Sequence, residues 1–105
     1  MVRGEVFRLR APRATRGSEQ RGQRFAVVVQ ADELFALGTV LVAPTSRSAP
    51  PRTFRPTIEL EGQPTRILVE QTTAITPDRL GDSIGRLNAG ELHDLDAALT
   101  LLLGL

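Results

Sequence analysis

The sequence predicts a mainly β domain, a small and strongly bent antiparallel sheet followed by one C-terminal helix. Three observations carry this expectation. Short runs that alternate polar and apolar, or that are rich in β-branched residues, recur between residues 5 and 87. Proline- and glycine-containing segments punctuate them. A helical apolar repeat occurs only at the end of the chain. With 105 residues and 41% hydrophobic composition, the chain suits a single domain and leaves no room for two. Its expected limits are a barrel over about 4–87 and a helix over about 88–103.

Glu5-Val6-Phe7-Arg8-Leu9 alternates and reads as a half-buried strand. Residues 10–24 form a long polar loop with two glycines and five arginines. Phe25 to Val29 is continuous and apolar, which suits a strand buried on both faces. Asp32 to Ala36 fits one helical turn, and Leu37 to Ala43 is the next strand. Residues 44–56 hold four of the seven prolines, so a second long loop is expected there. Thr57 to Glu61 alternates again. Gly62-Gln63-Pro64 makes a turn, and Thr65 to Glu70 returns as the hairpin partner. Thr72 to Ile75 is a short strand, Pro77 to Leu80 a helical turn, and Ser83 to Leu87 a final strand. Asn88 then opens a helix, with Glu91 three residues on in a capping-box arrangement. Leu92, Leu95, Ala98, Leu99 and Leu102 share one helical face. Leu101 and Leu103 widen it beyond what a small sheet covers, so it either packs on the barrel or also meets a second subunit.

Composition excludes several chemistries. There is no cysteine, hence no disulfide, thiolate metal site or Cys nucleophile. His93 is the single histidine, too few nitrogens for a zinc site and best read as an exposed helix residue. No apolar run reaches the ~18 residues of a membrane span, and the start lacks the apolar stretch of a secretory signal, so a cytoplasmic location without membrane contact is expected. Charge is uneven: residues 1–55 carry ten Arg against four acids, and residues 56–105 three Arg against eight. Every basic residue is Arg, whose planar fork suits phosphate. A polyanion, an acidic partner, or both are implied.

Candidate chemistry is correspondingly narrow. Glu59 and Glu61 stand two apart on a strand, which places both on one face. Alternation makes that the solvent face, although an acid–base pair is the sharper reading. No carboxylate cluster has metal-ligand spacing. Arg24 directly precedes the buried strand 25–29, and Thr45 directly follows the strand 37–43. Adjacent strands can bring these ends to one edge. An Arg beside a hydroxyl suits a phosphodiester, where charge develops on phosphoryl oxygens, and RNA supplies its own 2′-OH nucleophile. Phe54 is the best base-stacking candidate, unless it packs under its loop.

Arg3-Gly4-Glu5-Val6-Phe7, Arg16-Gly17-Ser18-Glu19-Gln20 and Gln23-Arg24-Phe25-Ala26-Val27-Val28-Val29 resemble the opening of the MazF/PemK family of bacterial toxin endoribonucleases. Val42-Ala43-Pro44-Thr45-Ser46 is similar to its strand-three exit. Val69-Glu70-Gln71-Thr72-Thr73-Ala74-Ile75, Arg79-Leu80 and Ile84-Gly85-Arg86-Leu87 are similar to its late segment. The resemblance covers nearly the whole chain, in order. It implies an SH3-like barrel, usually a homodimer, that acts as an mRNA interferase. Such toxins cut single-stranded RNA at short motifs, without metal or other cofactor, leaving a 2′,3′-cyclic phosphate and a 5′-OH. The family's active-site Arg and Thr fall on Arg24 and Thr45, and its loop Glu on Glu19. RNA-contacting positions fall on Ser18, Gln20 and Gln71, with Arg16, Ser46 and Arg47 beside them. A MazE-like antitoxin is the implied partner, an acidic segment that orders on the Arg-rich loops. The chain departs from the pattern at Phe25, where Pro is usual, and in a short 32–39 segment. A gyrase-poisoning toxin like CcdB, or a nucleic-acid-binding barrel without activity, is the alternative.

Overall fold

A computed structural model describes residues 1–10 and 24–105. Its elements are β1 (Glu5–Leu9), β2 (Phe25–Val28), β3 (Val40–Ser46), β4 (Thr57–Leu60), β5 (Gln63–Ile67), β6 (Thr73–Ile75), β7 (Leu80–Arg86) and α1 (Ala89–Leu103), with 3-10 turns at Asp32–Leu34, Val69–Gln71 and Pro77–Arg79. The strands form one antiparallel seven-stranded sheet in the order β4-β5-β3-β2-β1-β7, with β6 also on β3. The expected class, mostly β with a C-terminal helix, is what the chain adopts.

β2 is buried along its whole length, as its unbroken apolar run implies, because both faces are covered. On the helix side, Val27, Ala43, Ile67 and Val69 pack with Leu95 and Ala98 of α1. On the other side Ala26, Val28, Val40 and Val42 pack under Phe7, Leu9, Phe35, Ile75 and Leu80. Leu95 is fully buried, a contribution of about 2–3 kcal/mol from apolar transfer.

β3 runs three residues further than the sequence suggests, through Pro44, Thr45 and Ser46. Proline is tolerated because β3 changes partners there. Val40–Val42 pair with β6 and Thr45–Ser46 with β5, so Pro44 falls between two ladders where its missing N–H costs nothing. Its carbonyl is still used, accepting from the Leu68 N–H at 2.8 Å. The expected strand start at Leu37 is instead loop, and buried Gln30 holds it. Its side chain donates to the Leu34 carbonyl at 2.9 Å and accepts from the Leu41 N–H at 3.0 Å.

The β4–β5 turn comes one residue earlier than expected, at Glu61-Gly62, joining Leu60 to Gln63. Both residues have positive φ, 53° and 79°, the turn form that matches strand twist. Helix α1 begins with the expected capping box: Asn88 accepts from the Glu91 N–H at 2.7 Å and Glu91 Oε1 accepts from the Asn88 N–H at 3.0 Å. The other oxygen of Glu91 accepts from the Glu59 N–H of β4 at 3.1 Å. Arg3 pins the helix from the opposite edge, through Asp96 at 2.7 Å and the Val29 carbonyl at 2.8 Å. Leu92 and Leu99 pack on the core, whereas Leu101, Leu102, Leu103 and Leu105 stay exposed. Among the described residues no helix is long and apolar enough to cross a membrane.

Candidate nucleic-acid groove

Arg24 and Thr45 are brought together by register. β2 and β3 pair with Ala26 opposite Pro44, and one further step sets Phe25 opposite Thr45. The Thr45 hydroxyl donates to the Phe25 carbonyl at 3.3 Å. The carbonyl of Arg24 accepts from the Leu9 N–H at 2.9 Å, which fixes the backbone from which its exposed side chain projects. Both residues line one groove of about 820 Å³.

Ser46, Arg47 and Gln71 line the same groove. Ser46 ends β3, and its hydroxyl accepts from the Ala49 N–H at 3.0 Å, so it turns the chain out of the strand. Gln71 lies in the 3-10 turn Val69–Gln71 rather than on a late strand. The turn is docked beside Thr45 through the Leu68–Pro44 hydrogen bond. Ser18, Gln20, Arg16 and Glu19 lie outside the described residues. All five described site residues that the sequence singles out therefore share one concavity.

A side-chain strap holds the loop and this turn together. Arg55 donates to one Glu70 oxygen through both Nε and Nη2, at 2.9 and 2.7 Å, and to the Pro50 carbonyl at 3.3 Å. Burial pushes the Glu70 carboxyl up, but the Arg55 guanidinium and a backbone N–H hold it below the usual carboxylate range. Phe54 is half-buried against the core, under Arg55; it packs under its loop and is no exposed stacking platform.

Sequence reasoning missed Arg8, Ser48 and Thr65 on the groove and set Glu61 on the solvent face. Arg8 sits 5.4 Å over the Phe25 ring and 3.5 Å from Glu61. Alternation along β1 carried no sign of this, because the aromatic it stacks on belongs to β2. Among the described residues Glu61 is the only carboxylate on the groove, against Arg8, Arg24 and Arg47. Neither Arg24 nor Arg47 forms an ion pair with another described residue. The groove thus offers free guanidinium charge, hydroxyl donors and an amide. Among the described residues no three His, Cys, Asp or Glu side chains come together as metal ligands. His93 is exposed on α1.

The family described as PemK-like, MazF-like toxin of type II toxin–antitoxin system matches residues 2–103. The chain belongs to the PemK/MazF toxin family. It is 39% identical over 106 residues to the toxin candidate Rv3098A of Mycobacterium tuberculosis, covering 100% of this chain and 99% of that one. It is 38% identical over 118 residues to endoribonuclease MazF9 of the same organism, covering 100% and 98%. Among solved structures, an endoribonuclease in complex with its cognate antitoxin from a mycobacterial species superposes with a TM-score of 0.80 at 16% identity. That match covers 100% of this chain and 96% of that one. This MazF-like toxin of a toxin–antitoxin system thus has an endoribonuclease homologue that it matches almost end to end.

Proposed function

We propose that this MazF-like toxin is a cytoplasmic endoribonuclease. It cuts single-stranded RNA at a short sequence motif, needs no metal, and leaves a 2′,3′-cyclic phosphate and a 5′-OH. The observation that carries this reading is the shared groove of Arg24 and Thr45, one at the start of β2 and one near the end of β3. Family membership and the MazF9 homologue support it.

The chemistry follows from the substrate. The RNA 2′-oxygen attacks the neighbouring phosphorus, and the P–O bond to the 5′-oxygen breaks. The proton lost by the 2′-OH is balanced by one gained at the leaving 5′-oxygen. Negative charge on the phosphoryl oxygens peaks between these events. Arg24 supplies a permanent cation for that charge. Thr45 adds a hydroxyl donor by exchanging its bond to the Phe25 carbonyl for one to the phosphate. Glu19 is assigned to proton transfer. Arg16, Arg47 and Ser46 hold the backbone, and Ser18, Gln20 and Gln71 meet base edges, Gln71 as both donor and acceptor.

Two partners belong to the same reading. The exposed leucines at the end of α1 are apolar surface that a second copy would cover, giving a homodimer. A MazE-like antitoxin of acidic chain would neutralise Arg24 and Arg47 of the groove; a mycobacterial endoribonuclease of the same fold is found in complex with its own cognate antitoxin.

The test is cleavage of a mixed single-stranded RNA pool in EDTA, with the fragment ends identified chemically. Cyclic-phosphate and 5′-OH ends are expected. Wild-type cutting by both Arg24→Ala and Thr45→Ala would overturn the site. Loss of DNA supercoiling activity with intact RNA would instead select a gyrase poison, and salt-dependent RNA binding without cutting a bare binding barrel.

A further inference from the structure

We propose that Glu61 is a specificity-determining residue, one that selects a base bearing an exocyclic amino group and rejects uracil at one position of the bound strand. The inference rests on the reading of the groove as an RNA site. A carboxylate there is unexpected, since every phosphate that enters is repelled by it. Its position is set by the backbone turn. Strand alternation would have sent Glu61 to the solvent face with Glu59. The chain leaves β4 at Leu60, and Glu61 becomes the first residue of a tight turn with φ 53°. That turn redirects it to the groove, beside Leu60 and Thr65 of the same hairpin. Arg8 at 3.5 Å holds it from the facing strand, and Arg8 in turn lies over Phe25, whose carbonyl holds Thr45. The carboxylate is therefore linked by three successive contacts to the hydroxyl proposed to act at phosphorus.

An ionised carboxylate accepts hydrogen bonds and donates none. Single-stranded RNA exposes its Watson–Crick edges. Adenine, cytosine and guanine offer an amino group there; uracil offers two carbonyl oxygens and one ring N–H. Gln71, on the same groove, does not make this distinction, because an amide can rotate to present either its oxygen or its nitrogen. A carboxylate has no second face to present. Glu61 thus costs general affinity and returns discrimination, of the kind a carboxylate makes with the cytosine amino group.

The experiment compares wild type with Glu61→Gln and Glu61→Gly. Glycine suits the left-handed backbone at this position, so Glu61→Gly is expected to melt within a few degrees of wild type, and Glu61→Gln keeps an acceptor oxygen without the charge. Binding of labelled ten-nucleotide oligocytidylate and oligouridylate is measured by fluorescence anisotropy across a salt series. Cut sites in a random RNA pool are mapped in parallel. Wild type should prefer oligocytidylate about tenfold and should disfavour uracil at one position of the cut motif. Glu61→Gln should weaken both biases and Glu61→Gly remove them. Equal binding of the two oligomers by wild type overturns the proposal. So do variants that bind everything more tightly with the bias unchanged, since the carboxylate would then act only as a repulsive charge. If wild type cuts RNA and both variants keep its motif, the ribonuclease reading stands and this one falls. If wild type shows the Glu61-dependent base bias but never cuts, the base selection stands and the ribonuclease reading falls.

Discussion

The two walls of the groove are built by different physics. The wall that carries Arg24 and Thr45 is held by main-chain pairing between β2 and β3, with a fully buried strand behind it. The wall that carries Arg47 and Gln71 is a proline-rich loop and a 3-10 turn, joined by Arg55 and Glu70. In the first, main-chain pairing holds the backbone from which Arg24 and Thr45 project. In the second, the loop and the turn are tied to each other by one side-chain ion pair between partly buried groups. On the proposed reading, chemistry sits on the first wall and recognition on the second.

The largest expected effect isolates the first wall. Arg24→Ala and Thr45→Ala should each lower the cleavage rate about 10²–10³-fold, the usual cost of one preorganised donor, with the melting temperature of wild type. A large fall in melting temperature would show that this wall is not independent of its side chains. Next in size is Leu95→Ala, beneath both walls, which should cost about 2–5 kcal/mol in denaturant unfolding through the cavity it leaves. Arg55→Ala should cost about 1–2 kcal/mol, because the Glu70 carboxylate loses its donors in a partly buried site. Its signature should be a raised KM and a looser preference for the base that meets Gln71, with kcat little changed; a pure kcat defect would break the comparison.

The same strap sets a pH dependence. Glu70 is held below the ordinary carboxylate range when folded. Its contribution to stability is therefore present above the unfolded value and lost as pH falls through the folded one. Urea midpoints measured between about pH 5 and pH 3 should fall in wild type and fall less in Glu70→Gln. Part of the fall should persist, because Glu5 is also held low: the Ser83 hydroxyl stabilises its charge against some burial. The smallest effect is expected from Asn88→Ala, about 1 kcal/mol for a lost cap, measured by thermal melting and leaving both walls and the cutting rate unchanged.

Much of this was legible in the residues. The apolar run at 25–29 specified the central strand because burial on both faces needs no alternation. Asn88 and Glu91 specified the helix start because capping is a local interaction. Arg24 and Thr45 were found at strand ends before their register was known. What escaped depended on contacts distant in sequence. Pro44 read as the start of a loop, since its tolerance inside β3 depends on a change of partner strand visible only in three dimensions. Val69 and Glu70 read as strand because β-branched neighbours mask a 3-10 turn docked by the Pro44 carbonyl. Glu61 was assigned to solvent by an alternation that ended one residue too soon. Arg8 carried no local sign of the stacking on Phe25 that draws it to the groove.

Glu91 divides its two oxygens between the helix and the sheet. One closes the first turn of α1 and the other grips the Glu59 amide of β4. The terminal helix and the hairpin thus share a single anchor two residues from the tip that bears Glu61. Loosening either segment deprives the other of a charge-assisted bond.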